Sequence, residues 1–290
     1  MPLGRSGRVV ERQPLHCRST VAGYDIFDCH HHVGDVSAFL GVEASEAGGA
    51  SEVEARIAIM ETAGVAQAAV IPSHAYERAN GIAETREVND RIARYRSAHP
   101  DRFPVAIGIV EPQHGARSLE EIDRVKHDLE LDGISFHARF QGVSMDDPWI
   151  ARYVERMASL ELAPVLHAMT ESADESLWKI AKLASSLSDV PMLVLDAFST
   201  FEGTKEVSTI AERCPNLLFD TSLSYNFDFI EIFVQRFGAS RVLFGTDLYS
   251  PPIGRRISHL VPQILESSLS DADKAAILGA NARRLFSRDQ

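Results

Sequence analysis

The chain has 290 residues, 45% hydrophobic and 24% charged, ordinary globular usage that excludes a disordered or fibrous architecture. Forty-one acidic against 29 basic residues give a net charge of −12, so no basic surface is offered to phosphates and nucleic acid is not an expected partner. Three cysteines without a C-x-x-C pair, no secretory leader and no apolar run of about 20 residues predict a cytoplasmic protein that does not enter a membrane.

Residues 1–23 read as a polar arm, and from Tyr24 to the end one alternation repeats. Apolar or β-branched runs at 24–30, 65–72, 103–110, 132–138, 163–168, 190–198, 216–222 and 241–247 predict eight strands, each nearly continuous in hydrophobicity as a strand covered on both faces should be. Amphipathic stretches at 51–64, 84–98, 118–130, 148–161, 172–186, 203–213 and 227–237 predict the helices between them, and two more, 256–268 and 271–285, close the chain. Eight βα units over 24–290 predict an α/β protein of one domain, a (β/α)8 TIM barrel with an extra C-terminal helix. The rival, a doubly wound sheet, lacks its Gly-rich first turn here.

In such a barrel the reactive groups stand at the C-terminal ends of the strands. The first strand ends in Asp28-Cys29-His30-His31-His32, and alternation puts His30 and His32 on one side, with His31 and Cys29 opposite and Cys29 toward the helices. The other strands lead to His74, to Glu111 and His114, to Ser135 and His137, and to His167, Asp196, Asp220 and Asp247 in turn. Imidazoles with a carboxylate are the ligand set of a zinc-like ion, and such an ion makes hydroxide available near neutral pH. Each residue also has a structural alternative: packed histidines, a helix-capping Asp247 or Asp196, a loop position for His114, a solvated Arg139. Asp28 is expected to orient a ligand or a loop.

The strings FDCHHH, NDRIARYRSAHPDRF, GISFH, APVLHA, NLLFDTS, RVLFGTD and ILGANARRLF, in this order, resemble the amidohydrolase superfamily, specifically its amidohydrolase-2 branch. The resemblance implies that His30, His32 and His167 hold one divalent ion, zinc first. Asp247 would complete the site or take a proton from bound water. The chain departs from the branch where the sixth strand ends, with Asp196 in place of a histidine, so Asp196 becomes a candidate acid or base. Ser135 stands where binuclear relatives carry a lysine, which favours a single ion. His137, Arg139 and His74 are expected to contact a small-molecule substrate, Arg139 as a clamp on a carboxylate. A homodimer is compatible with the resemblance.

Three functions follow as expectations. The first is a metal-dependent hydrolase attacking an amide, ester or lactone carbonyl of a small carboxylated substrate. The alternatives are a non-oxidative decarboxylase of the same branch, against which Asp196 counts, and a ligand-binding barrel without turnover. Loops at 33–50, 138–147 and 248–255 are expected to set the substrate.

Overall fold

Eight parallel strands ordered β1 to β8 form a sheet in which each strand pairs with the next in sequence. They are β1 (Ile26–Val33), β2 (Val65–Pro72), β3 (Val105–Ile109), β4 (Gly133–Phe136), β5 (Ala163–His167), β6 (Met192–Leu195), β7 (Leu217–Asp220) and β8 (Val242–Leu243). The computed structural model describes residues 21–34, 50–73, 80–249 and 259–287. His74, Cys17, most of the polar arm and most of the first and last specificity loops lie outside them. The helices are α1 (Ala50–Ala63), α2 (Ile82–Ala98), α3 (Ala116–His127), a single turn α4 (Ala138–Gln141), α5 (Pro148–Ser159), α6 (Leu177–Ser186), α7 (Phe201–Arg213), α8 (Asp228–Phe237), α9 (Leu260–Glu266), α10 (Asp271–Ala275) and α11 (Asn281–Phe286). The chain is a (β/α)8 barrel. Among the described residues no helix is long and apolar enough to cross a membrane.

Period-two alternation divides the strands between two cores. Val105, Ile107, Val165, Leu193 and Leu195 pack with Phe27 and Ile71 in the lumen. Their neighbours Ala106, Leu166 and Val194 pack outward against Ile92, Val125, Val154, Ile180 and Ile210 of the helices. Cys29 departs from expectation, because it packs in the lumen with Phe27 and not under the helices. The cause is a bulge: Asp28 faces Ala68 and His31 faces Val70, so β1 takes three steps where β2 takes two.

β8 is far shorter than the apolar run 241–247 predicts, and the barrel is shut by single hydrogen bonds instead of a ladder. The Cys29 amide donates to the Phe244 carbonyl at 2.9 Å, the Asp247 amide to the His30 carbonyl at 3.0 Å, and the His32 amide to the Leu248 carbonyl at 2.7 Å. Two flanking elements hold this seam. Below, Asn281 donates to the carbonyls of Ala239 and Val242, and Arg283 to that of Asp25, while Ala282 and Phe286 enter the lumen core from underneath. Above, the buried Arg56 of α1 donates to the carbonyls of His32 at 2.9 Å and Leu248 at 3.5 Å, its charge balanced by Glu52 at 2.8 Å.

Candidate metal centre

Four of the residues singled out by their place at strand ends meet at the C-terminal mouth. His30 Nε2 lies 2.9 Å from His32 Nε2, which lies 3.2 Å from His167 Nε2. Asp247 Oδ1 stands 3.3 Å from the first of these nitrogens and 3.5 Å from the second. Ligands about 2.0–2.2 Å from a tetrahedral ion sit roughly 3.3 Å from one another, so the three imidazoles suit one ion, with Asp247 bordering two of them. All four side chains are buried.

The outer nitrogens decide where the lone pairs point. The Nδ1–H of His30 donates to Asp220 Oδ2 at 2.9 Å, and that of His167 to the Phe136 carbonyl at 3.1 Å. Carboxylate and carbonyl oxygens can only accept, so in both rings Nε2 is left to face the cluster. Three nitrogen lone pairs and a carboxylate around one point repel unless a cation lies between them. In the protein alone a proton serves: burial pushes His30 down, but the carboxylates of Asp247, Asp220 and Asp196 outweigh it and lift the imidazole to about 10. A divalent ion fits the same place and would displace that proton.

The string Phe244-Gly245-Thr246-Asp247 is explained side chain by side chain. A Cβ on Gly245 would lie 2.5 Å from Asp220 Oδ2 and 3.1 Å from His30 Cβ, so only glycine leaves room for the His30–Asp220 pair. Thr246 donates from both amide and hydroxyl to Asp28. Asp247 adopts a left-handed backbone at φ 58°, one of the few such conformations an aspartate tolerates, and this turns its carboxylate to the histidines.

Asp196 shares that conformation, φ 63°, at the end of β6. It has an oxygen within 4.8 Å of His30 and Asp247, and Ser222 Oγ lies 2.7 Å from Asp196 Oδ1 and 2.6 Å from Asp220 Oδ2. One hydroxyl proton cannot serve both carboxylates, so the arrangement calls for a second proton. Burial makes Asp196 the group to take up that proton as the pH falls, raising its carboxyl to about 6 against the pull of His30, with Asp220 adding to the rise.

Of the two expectations for Asp28, the structure meets the loop and not the ligand: it fixes the Thr246 turn and touches no cluster imidazole. It pairs with His31 Nε2 at 2.7 Å on the far side, and binds the His30 amide and Thr246. Burial pushes Asp28 up, yet His31, Thr246 and the His30 amide hold it below its ordinary value. Asp220 performs the expected orienting task.

His137 stacks face to face on His167, with centroids 4.2 Å apart and planes 4° from parallel, and its Nδ1 bonds the buried Glu175. Arg139 does not continue a strand past His137. β4 ends at Phe136, and Arg139 lies on the single turn α4, closed by Gly142 at φ 65°. It still reaches the mouth, its amide donating to Glu175 Oε1 at 3.2 Å and its Nε facing Glu175 Oε2 at 3.3 Å. Glu175, Asp220 and Ser222 were not singled out as site residues by sequence. Asp220 and Ser222 had the signal of an acid and a hydroxyl in NLLFDTS, whereas Glu175 fell within the predicted helix 172–186; the helix starts only at Leu177, and Glu175 lies in the loop before it, 38 residues from its histidine.

The family description "Amidohydrolase" matches residues 27–288. No curated protein matches the chain in sequence. Among solved structures, a 2,6-dihydroxybenzoate decarboxylase complexed with 2,6-dihydroxybenzoate superposes at a TM-score of 0.69, 18% identical over 92% of this chain and 99% of that one. A 5-carboxyvanillate decarboxylase from Novosphingobium aromaticivorans, with bound manganese, gives 0.70 at 16% identity over 92% and 99%. An uncharacterized TIM-barrel protein from Bordetella bronchiseptica gives 0.68 at 18% identity over 90% and 98%. With a family match running from β1 to the end of α11, over a barrel whose strand ends gather three histidines with Asp247 beside two of them, the chain belongs to the amidohydrolase family.

Proposed function

We propose that the protein is a metal-dependent carboxy-lyase that releases carbon dioxide from a small aromatic or unsaturated acid. The observation that carries this reading is the pair of carboxyl groups at the histidine cluster, Asp247 facing the Nε2 atoms and Asp196 beside it, raised by burial to about 6. His30, His32, His167 and Asp247 are the proposed ligands of one divalent ion. When bound, that ion supplies positive charge to hold the substrate's acid group and stabilise charge left on carbon.

Loss of carbon dioxide leaves an electron pair on carbon, which must then receive a proton. An acid suited to that task titrates close to the working pH, and burial lifts Asp196 to about 6, so a fraction of it carries the proton near neutral pH. Asp196 thus takes the proton-transfer place at the end of β6, the same position that, read from sequence, counted against a lyase. Ser222 Oγ bridges Asp196 and Asp220 and holds the Asp196 carboxyl in place, while the proton spent is restored from water. His137 and Arg139 orient the substrate. Hydrolysis ranks first on sequence alone, but the two decarboxylases that share the fold over 92% of this chain favour the lyase. Their manganese-containing member also makes manganese as eligible as zinc.

The test is incubation of protein reconstituted with manganese or zinc, in deuterated water, with a panel of hydroxybenzoic acids. Metal-dependent carbon dioxide release with deuterium placed on the vacated carbon is expected. Release should vanish in His30→Ala and in Asp247→Asn while the far-ultraviolet dichroism is unchanged. Activity surviving in both variants, or turnover only of esters and lactones with water oxygen in a new carboxylate, would overturn the proposal.

A further inference from the structure

Glu175 is wholly buried, and no step of the proposed reaction uses it. It stands in the loop between β5 and α6, two residues before the helix begins at Leu177. That loop is closed on itself: the Glu175 carbonyl accepts the Met169 amide at 3.0 Å, and the Met169 carbonyl accepts the Ser172 amide at 3.0 Å. It is also latched to the loop between α4 and α5. The Met145 amide donates to the Asp174 carbonyl at 2.8 Å, Lys179 Nζ to Ser144 Oγ at 2.6 Å, and Lys182 pairs with Asp146 at 2.7 Å. Two joined loops thus bring one carboxylate to the end of β4.

The surroundings of that carboxylate fix where a proton lies. Oε1 accepts the Arg139 amide at 3.2 Å, and Oε2 faces the Nε of the Arg139 guanidinium at 3.3 Å. Burial pushes Glu175 up to about 7; the Arg139 amide and guanidinium pull against it, and Asp196 and Asp174 add to the rise. On the alkaline side of that value the group is a carboxylate, which can only accept, so the proton between Oε1 and His137 Nδ1 belongs to the imidazole. A free neutral imidazole prefers its proton on Nε2. The Nδ1–H form is therefore the mark of a partner that imposes it.

Neutralising Arg139 does not by itself account for a buried acid, because the arginine side chain is 34% exposed and water can reach it. His137 has no such recourse, with a side chain only 6% exposed. Its main chain is held as its amide donates to Gln141 Oε1 at 2.9 Å. Its ring lies face to face with His167 at 4.2 Å and meets the Phe140 ring edge-on at 4.1 Å. Stacking sets the plane of the ring but leaves either tautomer open, and Glu175 alone among these neighbours distinguishes them.

We infer that Glu175 is a positioning residue of the site, whose carboxylate holds His137 as the neutral Nδ1–H tautomer flat against His167. The lone pair is then on Nε2, so His137 serves the site as a hydrogen-bond acceptor, suited to a donor group on the substrate and not to a carboxylate oxygen. The inference rests on the proposed function only for the substrate that His137 meets.

Nitrogen NMR of isotope-labelled, zinc-loaded protein, buffered alkaline of the Glu175 value, reads the tautomer, with the His137 signals assigned by their loss in His137→Gln. The wild-type ring should carry its proton on Nδ1 and none on Nε2. In Glu175→Met and in Glu175→Leu, which offer no acceptor, the Nδ1–H form should lose its predominance. Either variant that folds reads the pair, and the wild-type spectrum decides alone if neither does. A wild-type ring protonated on Nε2, alone or together with Nδ1, overturns the inference, as does an Nδ1–H form that still predominates in a folded variant. The measurement needs no turnover. A ring protonated on Nδ1 in a protein that releases no carbon dioxide sinks the reaction and keeps the pair; carbon dioxide release with the proton on Nε2 does the reverse.

Discussion

His30 gives its Nδ1–H to Asp220, and that one proton settles which ring nitrogen faces the cluster. The negative charge behind it does more, because it raises the basicity of the imidazole toward any cation on the other side. Asp220→Asn keeps an oxygen to accept the bond and removes the charge. Metal affinity should fall about 10–100-fold, read by competition against a chromophoric chelator, with helical content unchanged; an unaltered affinity would remove Asp220 from the centre. The residues that form the cluster could be picked from sequence because the fold fixes where strand ends converge, and His30, His32, His167 and Asp247 all stand at such ends. The residues that orient them were harder to see. Asp220 is 190 positions from the imidazole it holds, and Glu175 read as part of a helix that in fact begins two residues later, so no local pattern couples either to its partner.

The element that departs most from simple rules is β1. Its bulge between Asp28 and His31 turns Cys29 into the lumen, and burial with nearby carboxylates raises that thiol well above its ordinary value, which leaves it a packing residue. A strand's alternation is legible in sequence, but the extra residue of a bulge is not, and the same limit applied where β4 gave way to the turn α4 carrying Arg139. Helix α1 compensates at the bulged strand. Arg56 is wholly buried, bonds Glu52 one turn earlier and reaches across to β1, while Tyr95 of α2 donates to the other Glu52 oxygen at 3.0 Å. Removing one partner of such a pair leaves an uncompensated charge in the interior. Arg56→Met should therefore cost about 3–5 kcal/mol of stability, measured by urea unfolding, and a loss below about 1 kcal/mol would show that the clasp is dispensable.

At the scale of the molecule, the barrel is a ring with one weak joint. Seven junctions between consecutive strands are parallel ladders, while β8 contributes two residues and meets β1 through isolated bonds. The joint also carries the centre, since His30 and His32 lie on one side of it and Asp247 on the other. The string NARRLF, legible as a family signature, owes its character to this place: Asn281 and Arg283 tie the two sides together and Phe286 fills the lumen from below. Phe286→Ala should cost about 3–5 kcal/mol by urea unfolding, as expected for a large side chain cut from a packed core; a near-neutral effect would mean that the floor of the barrel is not closed by α11. A tail that locks the first strand to the last also sets a schedule for biosynthesis. On the ribosome the early imidazoles emerge long before their carboxylate partner and the segment that fastens the joint, so in a nascent chain cut short of Asn281 the cluster is not yet fastened, and the proposed cation uptake would await the closed barrel.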